Sequence, residues 1–186
     1  MISLAQLWLP ILLSAVFVFF ASSLFNMMLK FWHMADYKGF SNEDDVRAAI
    51  RAGAAQPGMY SLPYCTPERM RDPAMHEKFK EGPIAHIMVR PSGPMTILPY
   101  LAQWFVFCLL VSFLCALLAS LVLTRGAEHH QVFHVFAIAA LLGHSCGSIT
   151  NAIWWGHPKV SAAKYIIDGI VYALIIAATF SWLWPA

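Results

Sequence analysis

The residues with chemistry to offer lie inside long apolar runs. His130, His134, Ala137, Leu141, His144, Ser148, Asn151 and Trp155 follow one another at three- or four-residue steps, so a helix places them on one face. A second such face comes from Tyr165, Asp168, Tyr172, Ile175 and Thr179. Asp168 and His144 can exchange a proton, with the Tyr172 hydroxyl between them, and an ionisable group at membrane depth is costly enough to raise that question. The same residues also admit a structural reading. Asp168 is then satisfied by Lys164 one turn away, and His144 bonds a backbone carbonyl. A rise of ~1.5 Å per residue puts Asp168 level with Ser148 and Asn151, with His144 about one turn deeper, so the two faces are expected to meet there. The candidate intramembrane polar site is therefore His134, His144, Ser148, Asn151, Asp168 and Tyr172. No catalytic, cofactor-binding or metal-ligating residue is assigned.

The elements that must position these groups are four apolar stretches: 4–29, 96–124, 131–154 and 163–184. Each exceeds the ~20 residues a helix needs to cross a hydrocarbon core. An open strand or loop there would leave backbone donors and acceptors without partners, so the expected fold is an all-α integral membrane protein with four transmembrane helices. Composition agrees, at 59% hydrophobic and 12% charged residues over 186 positions, well away from soluble averages. A net charge of +2 names no polyanionic partner and argues against nucleic acid. No basic residue precedes the first stretch, which is longer than a signal-peptide core, so it is read as an uncleaved span.

Charge is concentrated in one place: residues 30–97 hold 9 of the 12 Lys and Arg and 8 of the 10 Asp and Glu. With four crossings, one side of the membrane receives 11 basic residues and the other receives only Arg125. The positive-inside rule then makes the charged connection cytoplasmic and both termini external, in a plasma or inner membrane. Trp8, Trp32, Trp154, Trp155, Trp182 and Trp184 fall near span ends, where an indole prefers the interface.

Residues 30–95 are expected to form a small α+β insert between the first and second helices. Ser41 is expected to cap a helix over 42–52 that stops at Gly53. Asp72 and Pro73 open another over 73–81 that stops at Gly82. Thr66 and Pro67 start a single turn. Gly58 to Tyr64 and Ile84 to Arg90 are β-prone runs able to pair, with Pro63 confining the first to an edge.

The four cysteines give no disulfide framework. Cys108, Ser112, Cys115 and Ala119 instead make a small-residue stripe suited to close helix approach, and Gly143 and Gly147 make a second small pair. Methionines 27, 28, 34, 59, 70, 75, 88 and 95, with His33, His76 and His86, carry copper-binding atoms in or beside the insert, but in no repeated array. Met is read there chiefly as an apolar filler. Histidines inside spans occur only in the third helix, which cannot supply both axial ligands of one haem.

These features favour a non-catalytic accessory or structural subunit of a membrane assembly. Its partners would be the bilayer and another protein, or a second copy, through the small-residue faces. One alternative is a small proton- or ion-linked carrier using Asp168 and His144; another is a metal- or haem-handling membrane protein. No cofactor is named by any motif.

Overall fold

A computed structural model describes residues 2–186. It divides into two compact units, one formed by residues 2–37 with 96–186 and the other by residues 38–95. The first unit is helical and contains four helices long and apolar enough to cross a membrane: Leu4–Met28, Leu98–Val122, His129–Trp154 and Lys159–Trp182.

The first of these is composite. A 3-10 turn at Leu4–Leu7, opened by the Ser3 hydroxyl accepting from the Ala5 N–H, leads into α1 (Trp8–Ser23), which widens into a π-turn over Leu24–Met28. α4 is Leu98–Val122, α5 His129–Trp154 and α6 Lys159–Trp182. α6 starts four residues before the apolar stretch read from sequence, because Lys159 to Ala162 continue the helix beyond its hydrophobic part. Trp8, Trp154 and Trp182 are exposed at helix ends.

α5 and α6 share the largest interface, and α1 packs on both α4 and α6. The reason α5 and α6 come so close is Gly169. A Cβ placed there would meet Ser145 Oγ at 2.0 Å, Ser145 Cβ at 3.2 Å and the His144 backbone carbon at 3.3 Å. Further along the same pair, Phe136 and Phe180 stack with ring centroids 3.9 Å apart, and Trp184 meets Phe136 edge-on. The small-residue stripe on α4 is used within the chain. Cys108, Ser112, Cys115 and Ala119 are all buried, and the Ser14 hydroxyl of α1 donates to the Ser112 hydroxyl at 3.0 Å. The Trp104 indole N–H donates to Ser22 at 2.7 Å, which supplies the partner a buried indole needs. At the other end, Trp184 donates to the Thr124 carbonyl and the Gly126 N–H to that of Pro185, fastening the last residues to the turn between α4 and α5.

The second unit holds α2 (Glu43–Ala52), β1 (Gly58–Leu62), a 3-10 turn at Pro67–Arg69, α3 (Pro73–Glu81) and β2 (Ala85–Val89). β1 and β2 pair antiparallel, Gly58 opposite Val89 and Leu62 opposite Ala85. β1 stops before Pro63, which lacks the N–H that a ladder requires. α3 begins as its sequence requires, with the Asp72 carboxylate accepting from the Ala74 N–H at 2.9 Å and Pro73 in the first turn. α2 departs from expectation at its start. The cap position is Asn42, with no side-chain bond, and Ser41 lies one residue outside the helix. Glu43, Asp44 and Asp45 crowd its first turn and supply the favourable charge at the positive end of the dipole instead.

Candidate functional site

The chain from Lys30 to Tyr37, read from sequence as part of the insert, belongs to the helical unit. The π-turn ends α1 at Leu29, the Trp32 N–H bonds the Leu29 carbonyl, and a 3-10 turn follows at Met34–Asp36. This compact reversal carries Trp32, His33 and Asp36 onto the first turns of α6, where Lys164, Tyr165 and Asp168 stand.

Asp168 is 2% exposed and both of its oxygens are engaged. The Trp32 indole N–H donates to Oδ1 at 2.7 Å, and His33 Nε2 lies 2.5 Å from Oδ2. In that contact Nε2 is the donor whenever the carboxylate is ionised, because an ionised carboxylate only accepts. His33, 4% exposed, is held flat by the Tyr165 ring, stacked at 4.4 Å. Its other nitrogen faces Asp36 Oδ2 at 3.9 Å, too far for a hydrogen bond. Lys164 completes the cluster by donating to both Asp36 Oδ1 and the Trp32 carbonyl, with its ammonium 5.7 Å from the centre of the Trp32 ring.

Asp168 therefore does not pair with Ser148 and Asn151. Ser148 donates to the Ser145 carbonyl at 2.6 Å, and Asn151 is exposed. Nor does Lys164 satisfy Asp168; it serves Asp36. The reason is competition. The segment after α1 offers an indole N–H, an imidazole and a carboxylate at close quarters, and these match the Asp168 and Lys164 pair better than a hydroxyl and an amide can.

Of the remaining members of the expected site, His144 and Tyr172 are brought together and His134 stands apart. His144 stands among aromatic rings, 5.4 Å from Tyr172, 5.7 Å from Phe107 and 6.4 Å from Trp104 between ring centres. Its Nε2 is buried without a hydrogen-bond partner. His134 is exposed, and its Nδ1–H donates to the His130 carbonyl at 2.6 Å. The buried side of α5 near its start is Val132, Phe136 and Ala140, so the polar face is rotated partly out of the bundle.

Trp32, His33 and Asp36 were not expected in this site. The readable signal was charge matching: Asp36 lies just after the first long helix and Lys164 and Asp168 lie near the start of the last, with an imidazole beside Asp36. The Lys164 ammonium holds the Asp36 carboxyl below its ordinary 3.8, outweighing the effect of burial, and the Ser161 hydroxyl acts in the same direction. A carboxyl whose value is lowered on folding adds stability that is fully present above the ordinary carboxylate range. That stability is lost as pH falls through the lowered value. Thermal unfolding of wild type and Asp36→Asn in detergent should therefore differ at neutral pH and converge as the solution is acidified; a constant difference across that window would contradict the ion pair.

No protein family model matches the chain, and no match is found among curated proteins or among solved structures.

Proposed function

We propose that the chain is a non-catalytic integral membrane protein acting as an accessory or structural subunit. One observation carries this reading: the interior of the bundle beyond His144 is closed by apolar side chains. Ala140, Phe136, Ile176, Ala177 and Phe180 are fully buried, and the Phe136 and Phe180 rings are stacked across the α5–α6 contact. Roughly 15 Å of α5 between His144 and His134 carries no polar side chain, and the buried hydroxyls of the bundle, Ser14, Ser112 and Thr179, are engaged with one another or with backbone carbonyls and have no charge to exchange. The cluster around Asp168 supports the same conclusion. Lys164 pairs with Asp36, and Trp32 and His33 with Asp168, contacts that suit a clasp between the end of α1 and the start of α6.

The proton-linked alternative draws on one observation, the Tyr172 ring lying against His144, one helical turn from Asp168. That contact connects His144 to the clasp but provides no exit toward the opposite side.

The basic-residue bias supports an orientation with the insert in the cytoplasm and the termini outside, in a plasma or inner membrane. α5 is the least enclosed of the four long helices, and a Cβ at Gly147 would meet nothing within 4 Å. The outer face of α5, rather than the α4 stripe, is thus the surface offered to a partner helix. Cysteine cross-linking from Gly147→Cys in native membranes should trap a defined protein adduct, and reporter fusions at Ala186 should read as external. A chain that stays monomeric under cross-linking would count against the subunit reading, and a cytoplasmic reporter signal at Ala186 against the orientation.

A further inference from the structure

Within the 38–95 unit, Cys65, Met70, Met75, His76 and Phe79 line one cavity of about 330 Å³. Four of these five side chains carry soft or borderline metal-binding atoms: a thiol, two thioethers and an imidazole. Local structure explains how they meet. The 3-10 turn at Pro67–Arg69 folds the chain between Cys65 and Met70, and the capped start of α3 puts Met75 and His76 in its first turn. Met75 is 2% exposed, while Met70, at 65%, stands at the rim.

The orientation of His76 is itself informative. Its Nε2 lies 2.7 Å from the Met70 carbonyl oxygen. A carbonyl can only accept, so Nε2 is the donor, and in the neutral ring this leaves the lone pair on Nδ1. Anchoring one ring N–H on a backbone carbonyl is how metal-bound imidazoles are commonly held. The same bond ties the imidazole to the backbone of a second soft ligand, Met70.

We propose that this cavity binds copper(I), through the Cys65 thiolate, the Met70 and Met75 thioethers and the Nδ1 of His76. Soft sulfur donors select copper(I) over harder ions. The lining residues include no carboxylate for calcium or magnesium, and among the described residues no three His, Cys, Asp or Glu side chains gather as a zinc site would require. On binding, the Cys65 S–H gives its proton to solvent and a copper–sulfur bond forms, with no change of oxidation state. The thiolate and the monovalent ion cancel in charge, which limits the cost of placing them in a cavity walled by Phe79 and methionines. The spacing of these ligands follows no methionine array, so the sequence alone did not single them out.

The full chain, purified in detergent under reducing conditions, should retain one copper(I) per chain against a chromophoric copper(I) chelator. X-ray absorption should show sulfur and nitrogen neighbours. Met70→Leu changes an exposed residue and preserves volume, so folding should be intact, while copper affinity should fall at least about tenfold, the smaller loss seen even for residues that only support a ligand. Cys65→Ser should fall further. Met59→Leu, at an exposed methionine of β1 outside the cavity, should leave affinity unchanged. Copper lost entirely to the chelator, or equal affinity in Met70→Leu and Met59→Leu, would overturn the proposal.

Discussion

Asp168→Ala should lower the unfolding free energy of the solubilised chain by about 3 kcal/mol, the scale for removing one partner from a buried charged hydrogen-bond network. The substitution strips the acceptor from both the half-buried Trp32 indole and the buried His33. Asp168→Asn should cost less, since its amide carbonyl can still accept from Trp32. His33→Ala alone should also destabilise, and the double variant with Asp168→Ala should fall well short of the sum, because the two side chains act on one contact. Additive losses would mean that the clasp is not a coupled unit. Differential unfolding in a fixed detergent, followed by circular dichroism, gives all four values.

Gly169→Val carries the other large expected effect. The first atom of any side chain there already lies 2.0 Å from Ser145 Oγ, and turning that hydroxyl away leaves Ser145 Cβ at 3.2 Å and the His144 backbone at 3.3 Å. The remaining methyl groups force α5 and α6 apart at their closest approach. Overpacking of this kind costs ~1–3 kcal/mol in ordinary cores, and a helix–helix contact built on backbone proximity belongs at the upper end. Gly147→Val, with nothing within 4 Å of its Cβ, is the matched control on the neighbouring helix and should be close to neutral. Similar losses at both positions would show that the effect does not come from the close α5–α6 contact, since helix propensity by itself favours Val over Gly.

The helices were readable because they are local. Apolar length located all four long helices to within a few residues, and the Asp72–Pro73 cap and Gly82 stop fixed α3. Pro63 limited β1 for a reason visible in one residue. The site was less readable because its decisive contacts join residues 128 to 136 positions apart. Depth arithmetic treated Asp168 as having only helical neighbours, and it overlooked a non-helical reversal after α1 that folds back onto α6. The periodic face on α5 identified residues that share a side of the helix, but not the rotation of that side within the bundle. That rotation is set by Phe136 stacking on Phe180 and by Ser145 seated against Gly169, which a polar pattern does not encode.

The subunit reading stands on Asp168 holding the bundle together and carrying nothing across it. Proton flux into vesicles reconstituted with wild type and with Asp168→Asn tests this most directly. The expected result is no flux above protein-free vesicles for either chain, accompanied by a lower unfolding temperature for Asp168→Asn. Flux driven by wild type and abolished in Asp168→Asn, with the variant still folded, would contradict it and make Asp168 a carrier residue.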